Sequence, residues 1–388
     1  MAPPSFGPPG YAVPQRYMHK EPPPDGADTN TRPYLIFFSY LGTCFSVAVF
    51  IVLRLLKRSI VLQKSTTAKL PPKKHVFLFS TLAAGSLLTT WTYMVKYFDV
   101  SYKTWLMWRS YYELDPHHRH WGLWLRETGL FREAWETVII GNARYWWSHQ
   151  IFFFALGLGL YLEQKGIRRG IKYTWAFMLL GQIVAISFAT NLFFLTLLLS
   201  PPATPSPSGF QRQKWLGPWL VNLAAILATV YPALLLADEH YWHHPTAFMP
   251  VLLAPHVALL VLPFARLLLP SRLFNDDDFA FTDKVYSYLW FLVLGNGGIL
   301  FLKATFTAWS YSGFQGISNA LLEHPAVSSV AFDVVFCWVS WACWYLTQSK
   351  TINDDLKERS YADNSESIHD GSGSAVGVSG SDSGIRRR

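Results

Sequence analysis

The chain has 388 residues, of which 51% are hydrophobic and only 15% charged. Soluble domains carry about 25% charged residues, so a soluble globule is excluded and a polytopic membrane protein is expected, with polar tails holding the mean hydropathy to +0.17. Net charge is +8, but Lys and Arg collect beside apolar segments and at the extreme C-terminus, a pattern that serves membrane orientation and anionic lipids rather than nucleic acid.

Residues 1–33 are Pro-rich and lack the basic-then-apolar start of a signal peptide; they read as a disordered leader. A transmembrane domain over 34–350 follows. Its apolar runs are Tyr34–Leu53, Val76–Val95, Trp146–Leu162, Tyr173–Leu199, Trp215–Ala237, Ala247–Leu269, Val285–Phe306 and Val327–Leu346, each near the roughly 20 residues that cross a bilayer as a helix. The expected fold is therefore all-α, a polytopic membrane helical bundle of about eight transmembrane helices. Residues 351–388 turn polar, include GSGSAVGVSGSDSG, and read as a disordered tail. Eight crossings place both termini on one side. Seven Lys/Arg lie between Arg54 and Lys74 and four between residues 163 and 172, which puts both loops on the cytosolic side. The 96–145 connection then faces the other way, with a helix expected in ETGLFREAWETVI. The 17 Trp, 19 Tyr and 28 Phe mostly fit interfacial aromatic belts. Cys44, Cys337 and Cys343 lie in apolar segments and form neither a disulfide framework nor a zinc pattern.

Several residues could carry chemistry. His240-x-x-His243-His244 has the form of a di-iron histidine box, since imidazole suits iron. Its would-be partners His117, His118 and His120 fall in a loop that eight crossings place on the opposite face, about 30 Å away, so no metal centre is expected. Asn275-Asp276-Asp277-Asp278 has hard-cation donors but lacks the second Asp of a diphosphate motif, and reads as a solvated loop. Asp333 lies six residues into the last span, roughly 9 Å deep. A carboxyl there should face the bundle interior in its neutral form, fit to donate a proton, unless it only makes a structural bond, for example to Lys303. Phe332, Phe336, Trp338, Trp341 and Trp344 share that helix, and aromatic faces can steady a carbocation.

Glu133 and Glu136 share a helix face beside Arg144 and His149, and could supply an acid, an anion clamp and a proton relay, or merely an ion-paired interfacial helix. Gln182 and Asn191 are nine residues apart, half a turn off, so they face opposite ways and only one can line a given cavity, while Ser187 and Asn191 share a face. His256 falls near the middle of its span, as a core residue or as a substrate-binding one. Catalysis is thus expected from Asp333, Glu136 and Glu133, and substrate binding from Arg144, His149, Gln182, Asn191 and His256, with no cofactor.

The runs FREAWETVIIGNARYWWSHQ, GIRRGIKYTWAFMLLGQIVAISFATNLFFL and AFDVVFCWVSWACWYL resemble a group of fungal integral-membrane proteins that includes membrane terpene cyclases of meroterpenoid pathways, of the ascochlorin and ascofuranone type. The resemblance spans residues 34–350 in layout and is closest over 131–200. It implies acid-triggered opening of an epoxide on a farnesyl chain, then ring closure, without metal. The lipophilic substrate would enter from the bilayer, with the endoplasmic reticulum as the expected membrane. The alternatives are a transporter or lipid-binding protein without enzymatic activity, or a membrane di-iron oxygenase. A transporter would show repeats or matched broken spans; Gly295-Asn296-Gly297-Gly298 is one expected break, with no evident mate.

Overall fold

The computed structural model describes residues 30–65, 70–109, 119–166, 169–200, 219–265 and 279–370. These form helices and turns, with no strand among the described residues. In chain order the helices are α1 (Thr31–Lys64), α2 (Lys73–Arg109), α3 (Trp121–Glu127), α4 (Leu130–Ile139), α5 (Asn142–Tyr161), α6 (Thr174–Ile183), α7 (Ile186–Leu198), α8 (Trp219–Leu236), α9 (Glu239–Trp242), α10 (Phe248–Val261), α11 (Phe279–Glu323) and α12 (Pro325–Asp370). Four of them, α1, α2, α11 and α12, are long and apolar enough to cross a membrane. Their outer faces match lipid rather than water: Phe291 and Phe306 of α11 are 74% and 76% exposed. Apolar patches of that kind are rare on soluble monomers.

Contacts divide the chain into Met1–Ser340 and Trp341–Arg388. The second unit carries the continuation of α12, which stays helical to Asp370, so helix extends well past the polar boundary expected at residue 351. Likewise α2 runs on to Arg109, far beyond the expected end at Val95, and much of the 96–145 connection is helix. The glycine run at 295–298 is continuous helix; the interruption in α11 comes at Gly313, whose φ of 62° suits a residue without a Cβ. Gly141, with φ 114°, makes the corner between α4 and α5.

The largest departure from expectation is in residues 173–199. This 27-residue apolar run is not one crossing but two short helices folded back on each other. Phe177 of α6 meets Phe193 of α7 edge to face at 5.4 Å, and Gly181 lies against Ile186 and Ala189. Phe177 with Phe193 and Gly181 with Ala189 share one residue sum, as an antiparallel hairpin requires. The return is sealed at its base, where Arg169 donates to the carbonyl of Ser200 at 3.1 Å and Arg58 donates to the Ser200 hydroxyl. Residues 170–173 and Leu199 therefore lie together at one end of the bundle, with the basic C-terminal turns of α1. Co-location of the two basic loops agrees with the sequence expectation; the single span does not.

An aromatic core fills the other end. Trp105, Trp124, Leu130, Ile139, Tyr145, Leu236, Trp242 and Phe248 belong to one buried cluster. Asn142 donates to Glu239 at 3.0 Å, which fastens α9 to the corner between α4 and α5. The loop holding His240, His243 and His244 thus lies on the same end as α3 and His120. This corrects the expectation of opposite faces, and the cause is the hairpin, which enters and leaves on one side and reverses every later helix.

Candidate functional site within the membrane

A hairpin tip deep in an apolar bundle exposes backbone groups that lipid cannot satisfy. At Val184–Ala185 the chain leaves helical geometry, Ala185 being extended. Side chains from other helices take the freed groups. Tyr40 of α1 donates its hydroxyl to the Ile183 carbonyl at 2.8 Å. Asp333 of α12 accepts the Ile186 N–H at 2.9 Å on Oδ2 and the Ser187 N–H at 2.8 Å on Oδ1. These are first-turn N–H groups of α7, where a carboxylate is favoured by the helix dipole and by orphan donors. Asp333 thereby holds the tip, its partners being backbone amides rather than Lys303.

A cavity of about 160 Å³ opens beside the tip. Gln182, Val184, Ala185 and Ile186 line one wall, His256 another and Asp333 a third, with Trp135, Ser148 and Phe152 closing it. His256 Nδ1 is hydrogen-bonded to Gln182 Oε1. Because an amide oxygen only accepts, Nδ1 carries the proton and Nε2 is the free nitrogen. Trp135 lies nearly parallel to the imidazole at 6.3 Å and Phe152 meets it edge-on at 6.2 Å. Three of the residues read from sequence, Gln182, His256 and Asp333, are brought together here from α6, α10 and α12.

The others lie elsewhere. Asn191 donates to the Ser187 carbonyl and to Ser340 Oγ, both at 2.8 Å; it joins α7 to α12 and does not line the cavity. His149 is 1% exposed. Its Nδ1 pairs with the Tyr145 carbonyl at 3.1 Å, and its Nε2 has no partner among the described residues. Its neighbour Ser148 reaches the cavity instead. Glu133 accepts the Gly129 N–H at 3.1 Å, closing the first turn of α4. Glu136 pairs with Arg132 at 2.7 Å, and Arg144 pairs with Glu323. None of these three is among the cavity-lining residues, and the expected carboxylate cluster at a cavity mouth is an ion-paired helix surface.

Sequence reasoning missed Trp135 and Phe152, because it placed the aromatic walls on α12. There Phe332 stacks on Tyr93 at 5.2 Å, and Trp338, which is largely exposed, donates to Gln150 at 2.9 Å; neither lines the cavity. The available signal was Trp135 itself, set between Glu133 and Glu136 on a short amphipathic helix. Among the described residues, no three His, Cys, Asp or Glu side chains converge as a metal would need. Asn275–Asp278, His117 and His118 lie outside the described residues.

At the corner between α11 and α12, His324 Nδ1 accepts the Ala326 N–H at 3.2 Å. Burial first, and then the nearby Arg144, push its pKa below the ordinary 6.5. A depressed imidazole contributes stability above the unfolded value, and that contribution is lost as pH falls through the folded one. Thermal stability should therefore drop on acidification below about pH 6.5, and His324→Gln should flatten the drop; a variant with an unchanged pH profile would refute the assignment.

No protein-family model, no curated protein and no solved structure matches the chain.

Proposed function

We propose that this is an integral-membrane isomerase that opens and cyclises an epoxy-farnesyl meroterpenoid precursor in the cavity beside the hairpin tip. The observation that carries the reading is the joining of an imidazole held by Gln182, two aromatic faces and a backbone-bound carboxylate around one apolar space. Protonated on both nitrogens, His256 donates from Nε2 to the epoxide oxygen as its C–O bond breaks. A chain alkene then supplies the electron pair that forms the ring bond. Trp135 and Phe152 offer π faces to the travelling cation, and Asp333, bonded to the Ile186 and Ser187 amides, holds the tip that walls the site. Loss of a proton from the final cation restores the imidazolium, so product and substrate are isomers.

The same reading sets the membrane topology. α1, α2, α5, α8, α10, α11 and α12 each cross, and α6 with α7 forms a re-entrant hairpin. Seven crossings, in place of eight, put the termini on opposite sides. The basic ends stay cytosolic, and the endoplasmic reticulum is the proposed membrane. The sequence holds no Asn-x-Ser/Thr sequon, so engineered ones map the chain cleanly. Sequons near residues 120 and 244 should both be glycosylated and one near Lys64 should not; glycosylation at only one of the first two would restore eight crossings.

Half-helices meeting at membrane depth also build transporter sites, and the α6–α7 tip favours that as the second reading. One experiment separates the two. Microsomes bearing the protein and fed an epoxyfarnesyl phenol should yield cyclised isomers of unchanged mass. Passage of intact substrate into sealed vesicles with no isomer formed assigns transport instead.

A further inference from the structure

The basic end of the bundle holds a second and larger concavity, about 640 Å³, lined by Phe50, Arg54, Lys57, Arg58, Val61, Leu62, Ser65, Gly170, Lys172, Tyr173 and Leu199. The α1 contributors Phe50, Arg54, Lys57, Arg58, Val61 and Leu62 stand at i, i+3 and i+4 spacings, one stripe of the helix. We infer that this groove binds the phosphate headgroup of an anionic membrane phospholipid, with the acyl chains along its apolar wall.

Charge carries the first part of the inference. Four cations, Arg54, Lys57, Arg58 and Lys172, line the groove, and among the described residues no carboxylate does. Residues 29–98 and 164–237 contain no Asp or Glu; the carboxylate next in sequence to the second basic loop, Glu163, is buried and does not line the groove. Arg54 lies over the Phe50 ring at 5.2 Å and Arg58 over Tyr173 at 5.7 Å. Ring contacts of this kind orient a guanidinium but leave its charge uncompensated. Lys57 and Lys172 are exposed, and among the described residues neither makes an ion pair. A contrast stands at the other end of α1, where Arg126 and Arg132 line a groove of similar size but face Glu127 at 3.9 Å and Glu136 at 2.7 Å. Arg32 is the third cation of that groove, so two of its three charges face a carboxylate, whereas among the described residues none of the four in the first groove does.

Shape selects a lipid over a soluble anion. Beside the cations the wall is apolar, with Phe50 on their membrane side along α1, Val61 and Leu62 one turn beyond them, and Leu199 opposite, at the end of a membrane-length helix. A phosphodiester with acyl chains satisfies both halves; free phosphate satisfies one. Each Lys or Arg near an anionic lipid surface contributes about 1 kcal/mol.

The test titrates the purified full chain in detergent with short-chain phosphatidic acid, with phosphatidylcholine of the same chains, and with inorganic phosphate. Phosphatidic acid should bind saturably, phosphatidylcholine should not, and inorganic phosphate should fail to compete at equal concentration. Lys57→Gln with Lys172→Gln should weaken phosphatidic acid binding about thirtyfold, which is about 2 kcal/mol at 1.4 kcal/mol per tenfold. Both side chains are exposed, so the fold should survive. Lys103→Gln, whose lysine is paired with Asp99 at 2.7 Å, should leave binding unchanged. Equal binding of the two lipids, or an unaltered double variant, overturns the site. Full competition by inorganic phosphate assigns the groove to soluble anions and overturns the lipid.

Discussion

Asp333→Ala is expected to loosen the hairpin tip and to lower the stability of the folded bundle by roughly 2–6 kcal/mol. Two buried N–H groups, of Ile186 and Ser187, lose their acceptor together, and each unsatisfied buried group costs about 1–3 kcal/mol. Asp333 is only 7% exposed, so bulk solvent reaches the bared amides poorly. Asp333→Asn should fall between, since its amide oxygen keeps one bond while its NH2 confronts the other donor. Thermal unfolding of the purified protein measures the loss, and thiol labelling of an Ala185→Cys tip reporter localises it. Wild-type melting and labelling in both variants would show that Asp333 does not hold the tip. An Asn variant with wild-type melting and no turnover would return to Asp333 the proton-donor role expected from sequence.

The same residue shows what the sequence could and could not carry. A carboxylate inside an apolar run is legible at once, because its desolvation cost demands a partner. What partner it has depends on a break in another segment, and nothing between Tyr173 and Leu199 marks that break as Pro would. The signal present was length: 27 residues exceed the roughly 20 that one crossing needs, and Gly181 near the midpoint permits close approach of a returning helix. Reading the run as one span then reversed every later helix and separated the two His-bearing loops. Gln182 and His256 were legible as polar residues at membrane depth, but their pairing was not, because α6 and α10 are joined only by packing. Glu133, Glu136 and Arg144 were over-read for the opposite reason. Their spacing fits an ion-paired interfacial helix as well as an acid site, and Arg132 and Glu323, which pair with two of them, stand one turn away or far off in sequence.

Chemistry at the cavity should depend on His256 more than on any other side chain. Its Nδ1 proton is committed to Gln182, which fixes the ring and leaves Nε2 for the substrate oxygen. A positioned general acid contributes roughly 10²–10⁴-fold in rate, so His256→Gln should cut isomer formation by about that range while leaving thermal unfolding near wild type. Gln182→Leu removes the orienting acceptor but keeps the imidazole, and should lower turnover less, with the larger part of its effect on kcat rather than KM. Glu136→Gln breaks only a surface pair with Arg132 and should leave turnover intact. Isomer yield from an epoxyfarnesyl phenol, measured with equal amounts of folded protein, reads all three. Loss of activity in Glu136→Gln with full activity in His256→Gln would move the acid out of the cavity to α4. Full activity in all three variants would remove the acid assignment from His256 and leave Asp333, which also lines the cavity, as the acid to test.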